Sequence, residues 1–321
     1  MRAVGVACFL AVAAASPGAA HAQDYPASPV RFIVPFSAGG GTDLVARVTG
    51  RKLAEKWGQS VVIENRPGGD GAIGLEAAAR AAPDGHTMVM ILTAHAVLPS
   101  VKSKVGYNLL QDFAPVMNMV EFPNVLLAHP GVPVGNVREL IALARSRPGQ
   151  LNFAGAGIGG HAHLAGELFN SLAGIRMTYI SYKGTAPALV ELLGGHVDLM
   201  FAAMGSVLPH VRSAKLRPLA ITSAQRSATL PALPTVDESG LKGYEFVGWY
   251  GVGVPAGTPQ GLVTKLEAAF RSVLADPEVL KVLGDAGGNM VGSGPGPFGA
   301  YMKAELAKYA QVVAKAKIKA E

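Results

Sequence analysis

The stretch FIVPFSAGGGTDLVAR, Phe32 to Arg47, decides the fold. Phe32 to Phe36 is an apolar run of β type, and it breaks into Ser37-Ala38-Gly39-Gly40-Gly41. Thr42 and Asp43 follow, and Leu44, Val48 and Leu53 then share one side of a helix expected from Asp43 to Trp57. Strand, glycine turn and helix together open a parallel α/β unit. Glycines lack Cβ atoms, so a ligand can approach the backbone N–H groups at the helix start. That end carries a partial positive charge, and its natural guest is an anion.

The alternation continues outward. Strands are expected at Val30 to Phe36, Ser60 to Glu64 and Thr87 to Thr93, with a helix at Ala72 to Ala81. A second series follows Glu121-Phe122-Pro123. It has strands at Asn124 to Ala128, Leu151 to Ala154, Arg176 to Ile180, Val197 to Phe201 and Leu216 to Thr222, and helices at Val137 to Arg145, His161 to Leu172 and Ala186 to Leu193. A strand at Phe246 to Val254 and three helical stretches, the last from Pro297 onward, complete the chain. Repeated strand–helix alternation implies parallel sheets with helices on both faces. The two series suggest two lobes with a cleft at the carboxyl ends of their strands.

The second series has its own glycine loop in NFAGAGIGGHAHLAGELF, Asn152 to Phe169. Gly155-x-Gly157-x-x-Gly160 formally matches a dinucleotide fingerprint. That reading would make the chain a secreted enzyme using a nucleotide cofactor. The fingerprint also requires an acid at the end of the next strand, where Ser181-Tyr182-Lys183 stands. The first loop has Glu64 there but Leu44 in place of its third small residue. Neither match is complete. The simpler reading is two helix ends clamping one small anion. Asp43 would repel that anion, so its side chain is expected to turn away and brace the loop or cap N–H groups.

Catalytic motifs are sparse in the chain. There is no Gly-x-Ser-x-Gly, His-Glu-x-x-His or Gly-Lys-Ser/Thr. His161 and His163 point to different faces of a helix, which suits no shared metal. Asp198 either lines the cleft or bonds backbone at a strand start. A binder is favoured over an enzyme, and no metal or cofactor is expected.

Met1-Arg2, the apolar run Ala3 to Ala15 and Ala20-His21-Ala22 read as a secretory signal peptide cut before Gln23. The run is shorter than the roughly 20 residues of a spanning helix. The chain's one cysteine, Cys8, lies inside it, so no thiol chemistry survives the cut. About 300 residues remain, enough for one large or two medium domains. The chain carries a mild net charge of +6 at pH 7. Its basic residues, Lys303 to Lys319 among them, read as solvated helix faces without interleaved aromatics, which argues against nucleic acid.

Several stretches in order carry a family resemblance: IVPFSAGGGTDLVAR, VVIENRPGGDGAIG, APDGHT, GHAHLAGELF, YKGTAPALVELLGGHVDLMF, LPALPTVDESG and WYGVGVPAGTP. The chain resembles the TctC-like, or Bug-type, periplasmic solute-binding receptors of tripartite tricarboxylate transporters, over essentially all of its expected mature length. The resemblance implies an α/β, two-domain periplasmic binding protein of type II, with a hinge and an interdomain ligand cleft. The lobes would be 23–122 with 246–321, and 123–245, crossing near Phe122-Pro123 and Tyr244-Glu245-Phe246. It implies a periplasmic receptor for a small carboxylate: a di- or tricarboxylate, an acidic amino acid or an aromatic acid. The partner would be the membrane subunits of such a transporter, or a sensor. Ligand residues carried over are Phe36, Ser37, Ala38, Gly39, Gly40, Thr42, Asp43 and Thr93 from one lobe. The other lobe contributes Ala156, Gly157, Gly159, Gly160, His161 and Asp198. Apolar contacts are expected from Phe36 and Phe201. The chain departs from the family at Gly159-Gly160, where a hydroxyl residue is common, and at His161, where a small polar residue is usual. His161 either replaces the lost donor, adds charge if protonated, or narrows the pocket.

Overall fold

The computed structural model describes residues 25–102, 104–156, 160–182 and 185–316. The expected leader and its cut site lie outside them, as do Gly157, Gly159 and Lys183. The first strand, β1 (Val30–Val34), turns through the glycine loop into α1 (Gly41–Trp57). That helix buries Val45, Ala46, Val48 and Leu53 and stops at Gly58, a left-handed cap with φ of 64°. Next come β2 (Val61–Asn65), α2 (Ala72–Ala79), β3 (Thr87–Leu92) and α3 (Thr93–Val101), which starts with no intervening loop. β2 and β3 flank β1, both parallel to it.

The chain then runs through β4 (Phe113–Ala128), α4 (Val137–Ser146), β5 (Asn152–Ala156), α5 (His161–Ala173), β6 (Thr178–Tyr182) and α6 (Thr185–Leu193). It continues through β7 (Leu199–Ala203), α7 (Met204–Arg212), β8 (Arg217–Ile221) and β9 (Val247–Pro255). The last elements are α8 (Gln260–Leu274), α9 (Pro277–Asp285), β10 (Asn289–Ser293) and α10 (Pro295–Ala316).

One continuous sheet results, in the order β2-β1-β3-β9-β4-β7-β5-β6, with β8 and β10 also paired to β4. Its pivot is β4. From Phe113 to Pro123 this strand pairs with β9, and from Asn124 to Ala128 with β7 and β8. The partners change at the Pro123–Asn124 step, so one strand belongs to two lobes. The expectation of parallel sheets holds within each lobe, for β1–β3 and for β5–β7. It fails for β4 and β9, which pair antiparallel with their neighbours. The cause is connectivity: β9 returns from the second lobe, so it enters the first lobe's sheet from the opposite end.

The helix α10 holds the two lobes from one side. It packs on α3 of the first lobe, α5 of the second and β4 between them. Its solvated face matches the expectation as far as Lys315, with Lys317 and Lys319 outside the described residues, but Phe298, Met302, Tyr309 and Val313 on its other face are buried. Each fully buried Phe contributes about 1.5–3 kcal/mol relative to exposure. The helix lies so close to β9 that a Cβ on Gly251 would come within 2.2 Å of the Phe298 ring. No helix of the described residues is long and apolar enough to cross a membrane.

Candidate functional site

A cavity of about 290 Å³ opens where the carboxyl ends of the parallel strands of both lobes meet. The first lobe lines it with Phe36 and Thr42 from the loop and helix after β1, and with Leu92, Thr93 and Ala94 from the end of β3. The crossing strands add Phe122, Asn124, Gly248, Trp249 and Tyr250. The second lobe contributes His161 from the start of α5 and Ala203 from the end of β7. Among the described residues that line it there is no lysine, arginine, aspartate or glutamate.

Four helices begin at the cavity wall: α1, α3, α5 and α7. Their N-cap residues are Gly40, Leu92, Gly160 and Ala203, and none offers a side-chain cap to the helix. The surface helices α4 and α9, by contrast, are capped by Asn136 and Asp276. An α-helix leaves its first N–H groups without backbone partners. At the cavity those donors, with their dipole ends, remain available for a ligand's oxygens.

The first loop is held by the carboxylate of Asp43, which is 4% exposed. Its Oδ2 accepts from the Gly39 N–H at 2.9 Å and from Arg47 Nε at 2.8 Å. Its Oδ1 accepts from Asn65 Nδ2 at 3.0 Å, and the same amide donates to the Phe36 carbonyl at 3.0 Å. Burial acts to raise the Asp43 pKa, but bonds from Arg47, Gly39 and Asn65 outweigh it and set the value at about 2. Asp43 therefore braces the loop from behind and does not face the cavity.

Behind Phe36 stands His95, fully buried, with ring centroids 5.9 Å apart. Its Nδ1 accepts from the Leu92 N–H at 3.1 Å and fixes the turn from β3 into α3. Burial lowers its pKa to about 3, so the ring is neutral. Gly71 has to be glycine: its φ is 95°, and a Cβ there would lie 2.4 Å from His95 Nε2. The Thr93 hydroxyl accepts from the Trp249 N–H at 3.0 Å, fastening β9 to the start of α3. Burial raises the pKa of the Tyr250 phenol, against a hydrogen bond with Thr42.

His161 sits at the hinge side of the cavity. Its Nδ1 lies 3.1 Å from Asn124 Nδ2, so Nδ1 accepts and the neutral ring carries its proton on Nε2. Burial lowers its pKa to about 4; the Val247 carbonyl opposes the shift and Lys308 adds to it. The ring packs edge-on against Phe246, with centroids 4.6 Å apart. His163 diverges to stack on Tyr179 at 4.0 Å. Among the described residues no group of three metal-ligating side chains occurs.

Of the residues singled out from sequence, Phe36, Thr42, Thr93 and His161 line the cavity. Ser37, Ala38, Gly39 and Gly40 are exposed on the loop beside it, and Ala156 and Gly160 end β5 and cap α5. Gly157 and Gly159 lie outside the described residues. Three implied ligand contacts are corrected: the Asp43 carboxylate is turned to Gly39, Arg47 and Asn65, and Asp198 and Phe201 lie elsewhere. Asp198 precedes β7, at the strand's opposite end from Ala203, and its carboxylate accepts from the Asn152 N–H at 2.8 Å. Phe201 turns into the core against Phe153 and Phe169. Sequence reasoning missed Asn124, Trp249 and Tyr250. The available signals were a polar residue opening an apolar strand and an aromatic pair at the return crossing.

A family model for the tripartite tricarboxylate transporter family receptor matches residues 45–317. Protein BugT of Bordetella pertussis is 37% identical over 91% of this chain and 90% of its own. The solved structure of Rpa4515 from R. palustris with adipate is 36% identical, with a TM-score of 0.78, covering 92% of this chain and 99% of that one. That of MatC from Rhodopseudomonas palustris with bound malate is 32% identical, with a TM-score of 0.74, covering 90% and 100%.

Proposed function

This chain belongs to the tripartite tricarboxylate transporter receptor family, whose members are periplasmic binding proteins and not enzymes, and on that premise we propose that it captures a small carboxylate between its lobes and hands it to the membrane subunits of such a transporter. The observation that carries the ligand class is the convergence of four uncapped helix starts on a cavity whose described lining residues include no lysine, arginine, aspartate or glutamate. Two of them belong to each lobe. A dicarboxylate would place one carboxylate at each pair, with an apolar spacer against Phe36, Leu92, Trp249 and Tyr250. The adipate and malate in two similar structures are acids of this kind.

Magnitudes favour such a guest. A partly buried helix end contributes up to about 2 kcal/mol toward an anion, and micromolar affinity needs roughly −8 kcal/mol. Four ends come close, but association also costs translational freedom. Contact with the apolar walls must supply the difference.

The proposed lobes are 23–122 with 246–321, and 123–245, turning about Phe122-Pro123 and Tyr244-Glu245-Phe246. The change of partners along β4 supports that division, and so does Thr222. Its hydroxyl accepts from the Asn124 N–H at 2.8 Å and its carbonyl from the Phe246 N–H at 2.8 Å, joining both crossings. Export with cleavage before Gln23 completes the reading.

The test is a thermal-shift and calorimetric screen of the chain from Gln23 onward against carboxylates, with NAD and divalent metals included. A ligand at 100 times its Kd adds about 2.7 kcal/mol of stability. Gly40→Asp sharpens it. The φ of −86° suits any residue, and an added Cβ meets nothing closer than 3.8 Å. The variant should fold at least as well, because Asp is a good N-cap, yet bind an acid at least tenfold more weakly. Unchanged affinity would remove the first loop from the site.

A further inference from the structure

Resting on the carboxylate-receptor reading, we propose that the hydroxyl of Tyr250 is the side-chain donor that orients a ligand carboxylate between the two helix starts of the first lobe. Register and reach carry this. In the pairing of β9 with β3, Tyr250 stands opposite Leu92, the N-cap of α3. Its phenol oxygen reaches the first residue of α1, where a Cβ on Gly41 would lie 3.5 Å from it. The hydroxyl therefore stands between the two helix ends at which the first-lobe carboxylate is placed. Thr42, Leu92 and Tyr250 all line the cavity. Phe122 holds the ring edge-on, with centroids 5.2 Å apart. The ring stays an apolar wall, and its tip is polar.

The count of hydrogens makes this tip a donor. Tyr250 and Thr42 are hydrogen-bonded to each other. Two hydroxyls hold two hydrogens, the bond between them uses one, and one is left. The Thr42 bond acts to lower the phenol's pKa, which is the sense of a bond donated to the phenol oxygen. The hydrogen left over is then the phenol's own, and burial keeps it in place at neutral pH. Neighbouring polar groups of the lining are committed within the fold. The Thr93 hydroxyl accepts from the Trp249 N–H at 3.0 Å and donates to the Val247 carbonyl at 3.5 Å. The Trp249 indole donates to Glu305, and Asn124 and His161 bond each other at the hinge side. Tyr250 thus offers an anion a hydrogen bond without a positive charge.

Calorimetry with adipate, malate and succinate, or with whichever acid of the screen binds best, tests the proposal on the chain from Gln23 onward. Tyr250→Phe removes one oxygen and keeps the ring. The Kd should rise at least tenfold, as for the loss of a hydrogen bond to a charged group. The unliganded variant should melt within about 4 °C of the unsubstituted protein. The substitution is then repeated on Thr42→Val. A direct donor still costs several-fold in affinity there. A tyrosine that only holds Thr42 in place costs nothing there, and that outcome overturns the proposal. An unchanged Kd for Tyr250→Phe alone also overturns it, and both outcomes leave the receptor reading intact. A second readout needs no substitution and decides if Tyr250→Phe does not fold. A phenol that donates to a carboxylate absorbs further to the red, so the near-ultraviolet tyrosine band should move to longer wavelength when the acid binds. A band that stays in place overturns the proposal. An unsubstituted protein that binds none of the three, nor any other acid of the screen, overturns the receptor reading and this proposal with it.

Discussion

The indole N–H of Trp249 donates to a carboxylate oxygen of Glu305 across 2.9 Å. Trp249 lines the cavity, and Glu305 lies on α10 at 3% exposure, ion-paired to Lys308. A wall of the site is thus anchored to the helix that packs on both lobes. Glu305→Ala leaves the buried indole N–H without an acceptor and removes the ion pair of Lys308, which costs about 2–4 kcal/mol. Glu305→Gln keeps an acceptor for the indole and should lose less. Urea denaturation of both variants checks this, and equal losses would show that the indole bond contributes nothing.

Asp43 supplies a pH signature. Its folded pKa of about 2 lies below the ordinary carboxylate value, so its contribution is fully present above about pH 4. It is lost as pH falls from there through 2, and amounts to about 2 kcal/mol. Asp43→Asn should flatten the stability curve in that window. It should also weaken acid binding at neutral pH, because Arg47 loses its anionic partner and one oxygen that accepts from Gly39, Arg47 or Asn65 becomes an NH2 donor.

The buried His95 works in a higher window. Its folded pKa of about 3 lies below the unfolded value, so the unfolded chain takes up a proton that the folded one refuses. Stability should fall as pH drops from about 6.5 toward 3. His95→Gln retains an acceptor for the Leu92 N–H and should reduce the slope between pH 6.5 and 4. An unchanged slope there would assign the proton uptake to other groups.

Much of the fold was legible because the first lobe's parallel units follow local rules. The apolar run before Gly39-Gly40-Gly41 and the helical spacing after it gave β1 and α1 within a few residues. The opening half of β4 was not legible, since Pro115 and the polar Asn118 argue against a strand. Only pairing with β9 makes it one. Pro99 in α3, and Gly205 and Pro209 in α7, hid two helices, and with them two of the four helix ends at the cavity. Asp198 stayed open between the cleft and a backbone bond for a related reason. Composition marks a strand end as polar, but only topology tells which end meets the cleft.

The return of the chain through β9 also bears on the order in which the molecule can assemble. In the first lobe β3 pairs with β1 early, but its other edge is covered only when Val89 meets Gly253. During synthesis from the N-terminus, that partner emerges after every strand of the second lobe. Segment 124–222 already contains all of β5 to β8, so its pairings are closer in sequence. Long-range closures of the β3–β9 kind slow folding. The lobe that begins the chain is therefore the last to be completed, and until Pro255 is made it exposes the apolar edge of β3.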